Sequence, residues 1–199
     1  MSTLIPLILG LVIFLGCHIV TRQRDLRARL IASKGEKFYR AMYSLVSLLG
    51  VALIAHGFKV YRAAGMIPVW DPPRWLAHPA MLLMWASMIL LVASNINAPG
   101  KIKARTKHPM LLATKIWATA HLLVNGDLGS IILFGAFLAW AVWARIMLKR
   151  AGDVGHPEAA TAPNAARYDL IAIVAGTAIT ALFVVWAHKF LIGVAIIGV

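Results

Sequence analysis

Residues 108–127 read HPMLLATKIWATAHLLVNGD, and the rest of the chain can be placed from them. The run opens like a helix and closes like a turn. Pro109 suits a first helical position, where its missing N–H costs nothing. Asn125-Gly126-Asp127 is turn chemistry. Between them lies an apolar run just long enough to cross a thin bilayer, and it contains Lys115 and His121. Ionisable groups at membrane depth are expensive, so both are functional candidates. At about 100° per residue, His121 shares a stripe with Thr114, Trp117, Ala118 and Asn125. Lipid cannot satisfy an imidazole, a hydroxyl or an amide, so that stripe is expected to face protein.

The whole chain carries the same signature. Its 199 residues are 61% hydrophobic and 14% charged, with a mean hydropathy of +0.80. A water-soluble domain does not tolerate that balance, so the expectation is an all-α, polytopic transmembrane bundle. No soluble block exceeds a loop, which makes residues 1–199 a single domain. The net charge of +13 sits in short loops flanking apolar spans. That is the pattern of membrane orientation and anionic-lipid contact, not of nucleic-acid binding. A single cysteine, Cys17, excludes an intramolecular disulfide and a cysteine-based metal cluster.

Working outward gives about six spans. Residues 4–20 form the first, and basic residues follow it: Arg22, Arg24, Arg27, Arg29, Lys34, Lys37 and Arg40. It therefore reads as an uncleaved helix with its N-terminus outside, followed by a basic segment, 22–40, along the cytoplasmic surface. The second span covers about Ala41 to Phe58. Gly65 to Ala77 is an external loop whose Trp70 and Trp75 suit the membrane interface. The third span starts at His78-Pro79 and ends near Asn95, and Pro99-Gly100 breaks the chain. Lys101 to Lys107 is a cytoplasmic loop, 108–124 the fourth span, and Ser130 to Met147 the fifth. Residues 151–166 form a flexible cytoplasmic loop. The sixth span runs from near Tyr168 to Trp186. The ten residues after Lys189 are too few to cross again, so they are a re-entrant or interfacial tail, or an extension of the same helix. The three cytoplasmic loops hold seven, four and four Lys and Arg residues, against three or four outside. This asymmetry implies a multi-pass membrane protein in contact with membrane lipid, with the three basic loops on the cytoplasmic side.

Few residues remain for chemistry. There is no paired-carboxylate site and no hydrolase or phosphate-loop motif, whereas there are seven histidines, and imidazole is a good iron ligand. His18 lies one turn inside the end of the first span. It is either an interfacial histidine bonded to a neighbouring helix or an axial haem ligand. The same two readings apply to the deeper His121. Cys17 points about 100° away from His18 on a helix, so it reads as a small core residue. His78 and His108 precede prolines and read as helix caps, and His156 reads as solvated. Lys115 either snorkels towards the cytoplasm or supplies a counter-charge for a haem propionate or an anionic lipid.

The chain resembles the NnrU family of bacterial membrane proteins, whose relatives include the plastid 15-cis-zeta-carotene isomerase. The matching residues are Gly16-Cys17-His18 with the arginine run after it, Gly35-Glu36, Tyr39-Arg40, Tyr43-Ser44-Leu45, Trp70-Asp71-Pro72-Pro73 and His108-Pro109. They continue through Trp117, His121-Leu122-Leu123, Asn125-Gly126-Asp127, Leu133-Phe134-Gly135, Ala139-Trp140-Ala141, and His188 with Leu191-Ile192-Gly193. The isomerase branch implies a haem b cofactor with His18 and His121 as ligands, and isomerisation of a membrane-dissolved apolar polyene in a redox-gated site. The bacterial branch implies a non-enzymatic accessory or sensor working with respiratory nitrogen-oxide enzymes. One tension remains. His121 lies about 20 Å along its helix from His108, at 1.5 Å per residue, while His18 is near the cytoplasmic edge. His18 with His108 is therefore the competing pair. A polyene would need lateral access between helices, for which small residues are expected: Gly50, Ala52 and Ala55 on the second span, and Gly135, Ala136 and Ala139 on the fifth.

Overall fold

The computed structural model describes residues 2–98 and 100–196, apart from the side chains of 159 and 160. The expected break at Pro99 and the end of the tail, 197–199, lie outside the described residues. Everything long is helical, and no β-strand occurs among the described residues. Among the described residues five helical stretches are long and apolar enough to cross a membrane: Ser2–Arg22, Glu36–Ala63, Arg74–Asn95, Leu128–Arg150 and Ala165–Ile192. The helices are α1 (Ile5–Arg22), α2 (Arg24–Lys34), α3 (Glu36–Ala63), α4 (Ala77–Asn95), α5 (Lys101–Thr106), α6 (Pro109–Val124), α7 (Leu128–Arg150), α8 (Ala165–Leu182) and α9 (His188–Ile192).

Two compact units divide the chain. The first comprises the chain up to Pro72 together with Asn125–Trp140. Its backbone is the antiparallel pair α1 and α3. Gly10 faces Gly50 and Ile54, Phe14 faces Gly50, and Leu7 faces Gly57, so residue numbers on the two helices sum to a near-constant value. Small residues let the two main chains approach closely, which is how helices associate where lipid removes the hydrophobic drive. A Cβ on Gly57 would lie 2.7 Å from Leu7 Cα. At the far end the loop after α3 is tied down. The fully buried Tyr61 hydroxyl accepts the Ile67 N–H at 2.9 Å, and Gly126 O accepts the N–H groups of Val69 and Trp70 at 2.8 and 3.1 Å. Asp127 Oδ1 accepts the Ser130 N–H at 2.9 Å and so caps α7.

The basic segment after α1 differs from the expectation. Only Arg24–Lys34 forms a separate exposed helix, and Gly35 (φ 84) ends it. Lys37 and Arg40 already belong to α3, whose 28 residues begin at Glu36. The charged turn stays helical because Glu36 and Arg40 pair at 2.7 Å across one turn.

The second unit comprises Pro73–Val124 and the chain from Ala141 onward. Here α4 packs against both α6 and α8. Ser87 donates to Ala113 O at 2.9 Å on one side, and Trp85 Nε1 donates to Thr177 Oγ1 at 2.8 Å on the other. Gly176 allows the close approach to Ile89. The loop expected at Lys101 to Lys107 holds the short helix α5. Its first two N–H groups, on Lys101 and Ile102, donate to the Asp169 carboxylate at 3.0 and 3.1 Å. Residues 151–166 are more ordered than their composition implies. Gly155 packs on Lys107, Pro157–Ala160 form a turn of 3-10 helix, and Asn164 in the left-handed region (φ 63) starts α8 ahead of the expected Tyr168. At its other end α8 runs through a π turn, Phe183–Ala187, into α9, so the tail extends the same helix as far as Ile192.

At 16 residues α6 is the shortest of the apolar helices. Its length of about 24 Å falls short of a hydrocarbon core of about 30 Å. It is also the most enclosed, since only Met110 and Val124 in it are exposed. A helix wrapped in protein need not match the lipid thickness. The stripe of Thr114, Trp117, Ala118, His121 and Asn125 contains no exposed residue, as expected for groups that lipid cannot satisfy.

Candidate functional site

In the first unit the chemistry gathers round His18, in the last turns of α1. Its Nδ1 lies 2.7 Å from the carbonyl oxygen of Phe14, one turn back. A carbonyl only accepts, so Nδ1 carries the proton and Nε2 keeps a lone pair. That lone pair is met by the Tyr43 hydroxyl at 2.9 Å, reaching across from α3. Three rings enclose the imidazole: Phe14 at 4.3 Å, Tyr43 at 5.4 Å and Trp140 at 5.6 Å, the last edge-on. Trp140 Nε1 is buried and has no acceptor among the described residues. Cys17 also meets α3, with Sγ 3.7 Å from Ser47 Oγ and 3.9 Å from Tyr43 O. The register of α1 against α3 creates this arrangement, because the antiparallel pairing that sets Phe14 on Gly50 also sets His18 on Tyr43.

His121 belongs to the second unit. It is half-buried on α6, with the Trp117 ring 5.3 Å away and nearly perpendicular. His188 lies within its electrostatic reach. Nδ1 of His188 donates to Val194 O at 2.8 Å, so His188 also presents an Nε2 lone pair. Its position just after a π turn is one that recurs at functional sites. The sequence marks His188 through the family resemblance, but the π turn before it leaves no periodic trace.

The remaining candidates separate. His108 stands at the start of α6, where Nε2 is 3.5 Å from Asp153 Oδ1, an oxygen that also accepts the Gly155 N–H at 2.9 Å. It anchors a loop at the opposite end of α6 from His121. Lys115 is half-buried midway along that helix. His78 falls inside α4, whose first turn has no side-chain cap, so it does not cap that helix. His156 is exposed and 3.3 Å from Glu158. Among the described residues no group of three or more His, Cys, Asp and Glu is placed to hold a metal ion. The small residues also sort themselves. Gly50 is packed on Phe14, with a Cβ there 2.8 Å from Phe14 Cβ, whereas Ala52, Ala55 and Ala139 are exposed. A Cβ on Gly135 would meet nothing within 4 Å.

No curated protein and no solved structure matches the chain. The family comparison does match, over residues 6–196, so it takes in α1 through α9 and every histidine described above. With membrane-spanning helices along that whole length, the chain belongs to the NnrU protein family.

Proposed function

We propose that the protein binds haem b in the membrane, with His18 and His121 as its ligands. The observation that supports this most is the Nδ1–Phe14 bond. It fixes the tautomer and offers Nε2, the role that the second hydrogen bond plays for metal-bound histidines. The neighbours of His18 fit such a group. Phe14, Tyr43 and Trp140 give flat surface beside the ring, and the buried Trp140 N–H wants an acceptor of the kind a porphyrin carboxylate supplies. The half-buried Lys115 is a counter-charge for a propionate. When bound, haem iron supplies a Lewis-acid or one-electron centre. The chain's own residues hold the imidazole in one tautomer and half-bury it. The resemblance to the isomerase branch supports a redox-gated cis–trans isomerisation of a polyene that arrives sideways through the bilayer.

The proposed setting is a bacterial cytoplasmic membrane, crossed six times with the N-terminus outside. Two kinds of contact support it. Within the first unit, the loops assigned outside bond to each other, Val69 and Trp70 to Gly126. Within the second, the loops assigned to the cytoplasm do so, Lys101 and Ile102 near Asp169 and His108 near Asp153. Reporter fusions after Arg40, Ile67, Arg105 and Pro163 test the orientation, and an external signal at Arg40 or Arg105 overturns it.

Detergent-purified protein from haem-replete cells tests the cofactor. The expected spectrum has a low-spin Soret band that His18→Ala and His121→Ala each abolish or convert to high-spin. A haem-free preparation refutes the proposal, and a spectrum lost only with His108→Ala moves the site. For the reaction, reduced and oxidised protein are incubated with a tri-cis zeta-carotene. Equal conversion in both redox states rules out redox gating. No conversion in haem-loaded protein leaves the accessory or sensor role.

A further inference from the structure

Resting on the haem reading, we propose that Tyr43 is the reserve partner of His18: its hydroxyl holds the same Nε2 lone pair that a metal would take, and the two compete for it. The argument starts from the inventory of the imidazole. Nδ1 is spent on Phe14 O at 2.7 Å, and only Nε2 has a lone pair to give. The Tyr43 hydroxyl stands on that lone pair at 2.9 Å. No ligand reaches Nε2 until the phenol moves aside. Tyr43 sits on α3, so the competition is set by the α1–α3 register and not by a mobile loop.

The same bond has a second use. An imidazole released from a metal among apolar helices would leave an unsatisfied polar nitrogen, at a cost of kilocalories, unless a donor waits for it. Tyr43 is that donor. It lets His18 leave and return without recruiting water, which is what a ligand that dissociates during a redox cycle requires. The phenol therefore lowers apparent affinity while making release reversible. Its contribution is one net hydrogen bond.

Hemin titrated into the apo-protein in lipid nanodiscs, read at the Soret band, tests this. Tyr43→Phe should bind hemin roughly two- to tenfold more tightly than the unaltered protein, the worth of one net hydrogen bond. Tyr43→Leu, which also removes the hydroxyl, should change affinity in the same direction. Where His18→Ala leaves a high-spin hemin complex, adding Tyr43→Phe should not change its affinity, whereas a merely structural role of Tyr43 would shift it with or without the imidazole. Binding by Tyr43→Phe alone, with none by the unaltered protein, would also support the competition. If the unaltered protein binds hemin and Tyr43→Phe binds equally or more weakly, the competition is overturned while the haem reading stands. If neither binds hemin, both fall.

Discussion

Replacing Gly57 with alanine puts one methyl between α1 and α3, and the structure fixes what it meets. The new Cβ would lie within 3 Å of three main-chain atoms of α1, among them Leu7 Cα and Pro6 C at 2.7 Å. Main chain cannot rotate aside, so the helices must part. Restoring ordinary contact takes a shift of roughly 1 Å, enough to forfeit a quarter to a half of the dispersion well along the seam. Overpacking of this kind costs about 1–3 kcal/mol, and a backbone obstruction belongs at the upper end. A methyl in a helix interior returns about 1 kcal/mol of helix propensity. The net expectation is a loss of about 2 kcal/mol. Gly16→Ala is the control, because a Cβ there meets nothing within 4 Å and only the propensity gain remains. Both variants would be unfolded by denaturing detergent in mixed micelles and followed by helical circular dichroism. Gly57→Ala should unfold first and Gly16→Ala no earlier than the unaltered protein. Equal stability of the two variants would refute the close α1–α3 seam.

Gly50→Ala should push Phe14, whose carbonyl orients His18, and so weaken hemin binding at least several-fold with α-helix content unchanged; unaltered affinity would detach the seam from the site. Asp127→Ala removes the cap on α7 and should cost about 1 kcal/mol in the same detergent titration. Asp169→Ala strips the carboxylate from the start of α5, so trypsin should cut faster at Lys101, Lys103 and Arg105; an unchanged rate would make that carboxylate irrelevant to α5.

Much of this was legible in the sequence because membrane spans are written in local composition. Lys115 and His121 marked α6 as protein-enclosed, and Asn125-Gly126-Asp127 marked its end. The boundary of α3 was missed because charge at Lys37 and Arg40 suggested a surface segment, while the i,i+4 pair with Glu36 carries the helix through that charge. His18 could be named from the chain alone, but its partners could not. Tyr43 is a whole connecting helix away and Trp140 lies on another element, and only the α1–α3 register brings the first of them to the imidazole. Gly50 was read among candidate openings for substrate, yet Phe14 fills the space above it. Apolar composition does not distinguish a glycine that makes room from one that lets a neighbour in.

The π turn at Phe183–Ala187 has a consequence for how this chain tolerates changes in length. Such a turn is equivalent to one residue more than an α-helix needs. Deleting any one residue of that segment would let α8 continue as ordinary α-helix, and everything after it would keep its direction, because only the surplus residue is lost. The helix would survive with His188 still aimed as before. The segment is therefore a one-residue reserve in the reading frame of side-chain direction. A single deletion within Phe183–Ala187 should be tolerated, whereas a second one, with no surplus left to remove, would turn His188 by about 100° and should behave like a substitution of His188 itself.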